Sequence, residues 1–174
     1  MRGRETQSVS NERTLNLRRS DRDITGLSNI LKILDECEVV RIALCSGNRP
    51  YIVPMNFAYE TEGEKLFIYL HCAPTGKKLD MIAKNNNVCF EADCLYKTLK
   101  AETACHWSAE FQSVIGEGKI DIITDKTQKT AALDLLMKRY GFEGKPDYPP
   151  QAIAAVIIMR ISVSSITGKS NMKG

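Results

Sequence analysis

Residues 67–79, FIYLHCAPTGKKL, read as three pieces in a row. A strand-like run ends at His71, a short turn carries Pro74 and Gly76, and Lys77 and Lys78 open an amphipathic helix. The first N–H groups of a helix have no partner inside it and point outward, which makes the end a natural seat for an anion. Two lysines at that end oppose the helix dipole. The local penalty is understandable if a phosphate sits there. The plainer alternative is a solvated lysine pair on a surface turn.

Working outward, Ser20 or Asp21 caps a predicted first helix whose Ile24, Leu27, Ile30, Leu31 and Leu34 recur at helical spacing and which ends near Cys37. Residues 39–45 and 51–59 read as strands around a Ser46-Gly47-Asn48 turn, and the run at 66–71 makes a third after Glu62-Gly63-Glu64. Short turns between them predict an antiparallel meander. Pro54 interrupts the second strand. Having no N–H for a ladder, it belongs at an edge, at a bulge, or where a ligand replaces the pairing. The helix from Gly76 to Lys84 turns Leu79 and Ile82 inward and stops at Asn85-Asn86-Asn87. Residues 88–93 alternate as a strand, while 95–109 suit strand or loop. A long strand within 110–123 holds Gly116 and Gly118, which predict a bulge or a close backbone approach. Thr124 or Asp125 caps a helix with Leu133, Leu136, Met137 and Tyr140 on one face, and a proline-bearing loop leads to a last strand at 154–166. The sum is a mainly β, α+β chain: an antiparallel barrel of six or seven strands with about three helices. Gly116-Glu117-Gly118 does not open a dinucleotide fingerprint, because no third glycine follows at the required distance.

The chain has 174 residues, net charge +3 and 43% apolar residues, enough for one domain with a true core. Residues 1–17 are expected to be a flexible basic tail ahead of a single domain at 18–174; Arg2, Arg4, Arg13, Arg18, Arg19 and Arg22 concentrate charge at that end. A nucleic-acid arm is the alternative reading of that cluster, and a solvated tail is preferred, so no nucleic-acid partner is expected. No apolar run approaches the roughly 20 residues that cross a bilayer, and no apolar segment follows the N-terminal charge. The expectation is a cytoplasmic protein with no membrane contact. Six cysteines (Cys37, Cys45, Cys72, Cys89, Cys94, Cys105) show neither CxxC nor zinc spacing, so neither a disulfide framework nor a metal site is expected.

Taken together, RRSDRDI at 18–24, PYIVPMNFAY at 50–59, FIYLHCAPTGKKLDMI at 67–82, VCFEAD at 88–93, ACHWSAEFQSVIGEGKI at 104–120 and ITGK at 166–169 are colinear with a known pattern. The chain resembles the flavin-binding split-barrel superfamily typified by pyridoxamine 5′-phosphate oxidase, and within it the nitroimidazole-resistance branch. The resemblance implies a homodimer with FMN at each subunit interface. It implies that the flavin ring lies along residues 52–57, which gives Pro54 a reason, with backbone groups of Val53, Met55 and Asn56 facing it, that Gly76, Lys77 and Lys78 hold the phosphate, and that Trp107 and Ser113 come from the partner. The same resemblance implies a second anion contact from Lys169 and places His71 beside the flavin as the catalytic candidate. Where pyridoxamine phosphate oxidases carry a Ser-Arg-Lys grip this chain has Ala73-Pro74-Thr75-Gly76-Lys77-Lys78. It also lacks their C-terminal arginine pattern, so the vitamin reaction is not implied.

Each residue has a bland reading beside the functional one. A lone histidine such as His71 is commonly structural, yet an imidazole could donate or accept a proton beside a flavin. Trp107, the single tryptophan, suits interface packing as well as flavin stacking. Glu91 and Asp93 read as solvated, with an acid–base pair as the weaker option. Tyr51, Tyr59 and Tyr69 read as strand packing. Three functions follow: an FMN-dependent oxidoreductase reducing a small aromatic acceptor such as a 5-nitroimidazole, a non-catalytic flavin carrier or sensor, and a haem-binding split-barrel protein.

Overall fold

The computed structural model describes residues 19–172. The expected tail over residues 1–17, with Arg2, Arg4 and Arg13, and also Arg18, lies outside the described residues. A 3-10 turn at Ser20–Arg22 leads into β1 (Asp23–Ile24), α1 (Leu27–Glu36), β2 (Val40–Ser46), β3 (Arg49–Met55), β4 (Phe57–Glu62) and β5 (Lys65–Cys72). Then come α2 (Lys77–Lys84), β6 (Asn87–Leu99), a second 3-10 turn (Ala104–His106), β7 (Ser108–Ile123), α3 (Lys126–Arg139), α4 (Pro150–Ala155) and β8 (Ile157–Ser170). No described helix is long and apolar enough to cross a membrane.

Seven strands follow one antiparallel path, β3-β2-β6-β7-β8-β5-β4, and the two-residue β1 adds an eighth against β8. β3 and β4 are consecutive in the chain yet lie at opposite ends of this path. The sheet is therefore a split barrel, open where the chain passes through Asn56. This corrects the expected three-strand meander. The run at 51–59 is two strands: its first part pairs with β2 and its second with β5. Pro50 and Pro54 survive because β3 is an end strand with one edge unpaired.

The inward side chains explain why these strands curl around one core. Val40, Ile42 and Leu44 of β2, Phe90 and Ala92 of β6, and Val114 and Ile120 of β7 are fully or nearly fully buried, together with Ile30, Ile33 and Leu34 of α1 and Met81 and Ile82 of α2. Each such side chain contributes roughly 1.5–3 kcal/mol for a large aliphatic or aromatic group, so a one-residue slip in register would be very costly. Beneath α3 lies a smaller cluster of Tyr69, Ile123, Ala132 and Ile158. α3 thus covers the outside of the β5–β8 region. Ile52 and Ile115, on the outer side of β3 and β7, stay 63% and 52% exposed.

Several local expectations change. α1 starts at Leu27, not at Ser20 or Asp21, because Ile24 is taken up by pairing with Gly168. Inside α2, Met81 is buried with Ile82, while Leu79 is half-buried. Residues 95–99 continue β6 past a bulge at Leu95/Lys97. α4 was not anticipated; Pro150 opens it at a first-turn position that needs no N–H. The glycine pair fulfils both options. A Cβ on Gly116 would run into the Phe90 ring, and one on Gly118 into the Ser162 carbonyl. The register slips between Glu117 and Gly118, where the extra residue is Ser164 of β8, its Oγ donating to the Glu117 carbonyl at 3.0 Å.

Candidate functional site

The β2–β3 hairpin closes through Gly47 and Asn48, with φ of 58° and 57°. Such a two-residue turn suits the strand twist, and its closing pair, Ser46 with Arg49, exchanges both hydrogen bonds. Alternation from that pair turns the backbone groups of Tyr51, Val53 and Met55 toward β2. Those of Ile52, and the carbonyls of Pro50 and Pro54, face the unpaired edge. Both prolines therefore sit where no ladder bond is lost. The strand offers its free edge around Ile52 and Pro54, ending at the exposed Asn56.

Next to this edge stands the start of α2. Gly76 is its N-cap residue at φ 141°, ψ 159°, and no side chain caps it. That backbone region is essentially reserved for glycine. The first paired amides are Leu79 N at 2.9 Å and Asp80 N at 3.4 Å from the Gly76 carbonyl, so the amides of Lys77 and Lys78 precede the helical ladder. Lys77 Nζ lies 4.4 Å from the centre of the Tyr51 ring, which fastens the helix start to β3. Lys78 is half-buried and close enough to Cys72 for its charge to offset part of the burial that raises that thiol's pKa.

His71 is exposed on β5, opposite Ile158 of β8. The β4–β5 register ends with Phe57 opposite Leu70, and one further step sets Asn56 beside His71. The fold thus brings Pro54, Asn56, His71, Gly76, Lys77 and Lys78 to the split in the barrel, while the backbone groups of Val53 and Met55, expected to face a ring, are spent on pairing with β2. Met55 itself is buried.

Trp107, Ser113 and Lys169 occupy another part of the sheet. Ser113 pairs with Lys169 on one side and Asp93 on the other, and Lys169 pairs with Asp23 of β1. The Asp23 Oδ1 atom is buried without a hydrogen-bond partner among the described residues. Trp107 is 50% exposed, with Nε1 donating to the Ala101 carbonyl at 2.8 Å. His106 Nδ1 meets Thr103 Oγ1 at 2.8 Å. Three strand spacings, about 14 Å along the sheet, separate β3 from β7. No hydrogen bond or ion pair among the described residues links the two sets. Glu91 and Asp93 form an ion pair with Arg41 Nη1 at 3.0 and 2.5 Å on the solvent-exposed side of the sheet, in keeping with the solvated reading.

A cleft of about 970 Å³ also reaches Asn56, lined by Asp35, Tyr59, Arg139 and Tyr140 among others. Its polar groups serve the fold. Arg139 Nη2 donates to the Leu34 and Cys37 carbonyls at 2.5 and 2.6 Å, closing the C-terminus of α1, and its guanidinium lies 4.1 Å from the Phe57 ring centre. Tyr140 Oη donates to the Glu38 carbonyl at 2.6 Å and accepts from Phe57 N at 3.1 Å. Tyr59 Oη donates to Asp35 at 2.6 Å, and burial plus that bond push its pKa up to about 12. Sequence reasoning missed Arg139. An arginine at the end of one helix gives no signal that it caps another more than a hundred residues earlier.

The family profile described as pyridoxamine 5′-phosphate oxidase matches residues 28–170. The chain belongs to that family. Among solved structures of this fold, a protein assigned to 5-nitroimidazole antibiotic resistance in Bacteroides thetaiotaomicron is 30% identical, covers 84% of this chain and 85% of its own, and superposes with a TM-score of 0.74. The flavocytochrome Anf3 from Azotobacter vinelandii (18% identity, 93% of this chain, 75% of that one, TM-score 0.77) shares the fold. So does an FAD and heme binding protein from Mycobacterium smegmatis (17% identity, 87% and 74%, TM-score 0.76). No curated protein matches the chain in sequence. The oxidase-family fold and the nitroimidazole-resistance branch are thus those the sequence motifs indicated.

Proposed function

We propose that this oxidase-family chain is an FMN-binding oxidoreductase that reduces a small aromatic acceptor such as a 5-nitroimidazole. The observation that carries the reading is the uncapped start of α2, with Lys77 and Lys78, set against the free edge of β3. The residues suit the cofactor. Unpaired amides and two ammonium groups match a phosphate, and unpaired backbone groups around Ile52 and Pro54 match the polar rim of a flavin ring. Bound there, FMN would supply the electron transfer to the aromatic acceptor.

The protein's own residues do the rest. Lys77 and Lys78 neutralise the phosphate and anchor the ligand. The β3 edge orients the ring and keeps water from one side. A ring nitrogen of His71 holds or delivers a proton for the acceptor. Trp107, Ser113 and Lys169 lie too far along the sheet to join this set within one chain, so their part is played on the partner's site in a homodimer. Ile52 and Ile115 stand exposed on the outer side of β3 and β7, which leaves that face open for such a pairing.

The visible spectrum of the isolated protein, with mass spectrometry of what denaturation releases, tests the reading first. Flavin bands with FMN released are expected. A colourless protein that takes up no FMN refutes the site, and a haem spectrum favours the alternative chemistry. Anaerobic reduction followed by mixing with a nitroimidazole then separates an enzyme from a carrier: fast reoxidation supports turnover, and none supports the carrier. An Ile115→Asp variant that remains a dimer by sedimentation would remove the outer face from the proposal.

A further inference from the structure

We propose that Cys37 and Cys94 are a redox-modification site, closing to a reversible disulfide when the protein meets a hydroperoxide. Their Sγ atoms lie 3.1 Å apart although the residues are 57 positions apart in the chain. No other two cysteine sulfurs among the described residues come within hydrogen-bond contact. A disulfide needs about 2.05 Å, so the sulfurs must approach by roughly 1 Å, within reach of small rotations at χ1. The proposal does not rest on flavin binding.

The surroundings give the bond a consequence. Cys37 is the C-cap residue of α1, and its carbonyl is held by Arg139. β2 pairs with β6 only at Cys89–Glu91, so from Ala92 to Leu99 that edge of β6 has no strand beside it. Cys94 sits in this unpaired stretch, just before the bulge at Leu95/Lys97, at the base of the β6–β7 ribbon that leads toward Trp107. A two-stranded ribbon is marginal on its own. A covalent tie from its base to α1 would hold it against the barrel.

The chemistry balances with a hydroperoxide as oxidant. Cys94 is half-buried and reachable, whereas Cys37 is buried. Cys94 gives its proton to solvent, and its sulfur attacks a peroxide oxygen. The O–O bond breaks, and with hydrogen peroxide the leaving hydroxide is protonated to water. The Cys37 sulfur then attacks the resulting sulfenic acid, the S–O bond breaks, and a second water leaves. The two thiols lose two electrons and two protons, which the peroxide gains. Burial, with Cys94 alongside, pushes the Cys37 thiol well above its ordinary pKa. The second step therefore needs the two sulfurs already in contact, as they are.

The test treats the purified full-length protein with stoichiometric hydrogen peroxide and counts thiols after denaturation. The six cysteines should fall to four free thiols. A non-reducing peptide map should join the Cys37 and Cys94 peptides with a loss of two hydrogens, and the melting temperature should rise by roughly 5–15 °C for a loop of this length. Dithiothreitol should reverse all three. Cys94→Ser, a substitution at the half-exposed partner, should keep five free thiols under the same treatment. The proposal is overturned if all six thiols persist, if a different pair is linked, or if Cys94 is recovered as sulfinic acid with Cys37 still free.

Discussion

The starts of α2 and α3 differ in both backbone and capping, with φ of 141° at Gly76 against −64° at Asp125. At α3, Asp125 supplies the N-cap and its Oδ1 accepts from Gln128 N at 2.9 Å. At α2, the equivalent position is Gly76, which has no side chain to offer, and two lysines follow where an acid would be favourable. Asp80 places one carboxylate in the first turn of α2 but makes no cap. The C-terminus of α1 shows the same care as α3, being closed by Arg139. The start of α1 at Gly26 also lacks a side-chain cap, so what sets α2 apart is the pair of lysines that follows its bare Gly76 at the split in the barrel. Internal capping serves stability, and under the proposed function the end with the two lysines serves binding.

The contrast can be broken most directly at the open end. Reversing both charges, Lys77→Glu with Lys78→Glu, is expected to weaken FMN retention by about 100-fold or more, because each charge-assisted contact is worth roughly 1.5–3 kcal/mol. Stability should move by less than about 1 kcal/mol, as expected for surface substitutions. Absorbance after gel filtration and a urea titration report the two effects separately. A variant that stays yellow would make the two ends alike after all.

At the closed end the outcome should be opposite. Arg139→Met leaves the Leu34 and Cys37 carbonyls without their donor and exposes Phe57 to a looser contact, so a loss of about 2–4 kcal/mol is expected in urea unfolding. The FMN affinity of whatever remains folded should not change. Gly76→Ala sharpens the comparison, since no neighbour blocks a methyl there and only the φ of 141° resists it. Strain of about 1–3 kcal/mol should fall on the α2 start, read as weaker FMN binding with little change in the spectrum of the bound form. Asp125→Ala, which removes an ordinary cap, should cost about 1 kcal/mol of stability and leave binding untouched.

The smallest effect concerns alkali. Tyr59 and Tyr69 are raised from an ordinary value of about 10 to about 12 by burial and by donating to Asp35 and Glu60. A group whose folded pKa is raised gives stability that is complete below its unfolded pKa and disappears as pH climbs through the folded one. The urea midpoint should therefore fall between pH 10 and 12. Tyr59→Phe should flatten part of that fall; a midpoint insensitive to pH over this range would show that the hydroxyls do not matter.

The local pieces of the site were readable because strand, turn, Gly76 and both lysines are contiguous in the sequence. The same holds for the Asp125 cap. What escaped depended on pairing partners far along the chain. Residues 50–59 look like one strand because nothing local says that Tyr51 will face Leu44 and Tyr59 will face Ile68. Ile24 keeps helical spacing yet is claimed by Gly168, whose bare backbone lets a neighbouring strand approach. Residues 95–109 obey no clean alternation because the ribbon they belong to has little core to face. Ser113 and Lys169 are direct neighbours on adjacent strands, but nothing in their local sequence marks them, and only the family resemblance suggested both.

Asn56 has a genetic consequence. The chain has one residue in which to leave one margin of the sheet and join the other, with Met55 and Phe57 on either side both buried. Adding or removing a single codon there would invert the odd-even assignment of every following side chain in β4, sending Phe57 outward. At the Gly63 tip, where the chain is exposed, length changes need disturb only the turn. Insertions and deletions among homologues should therefore gather at the tip and spare the crossing.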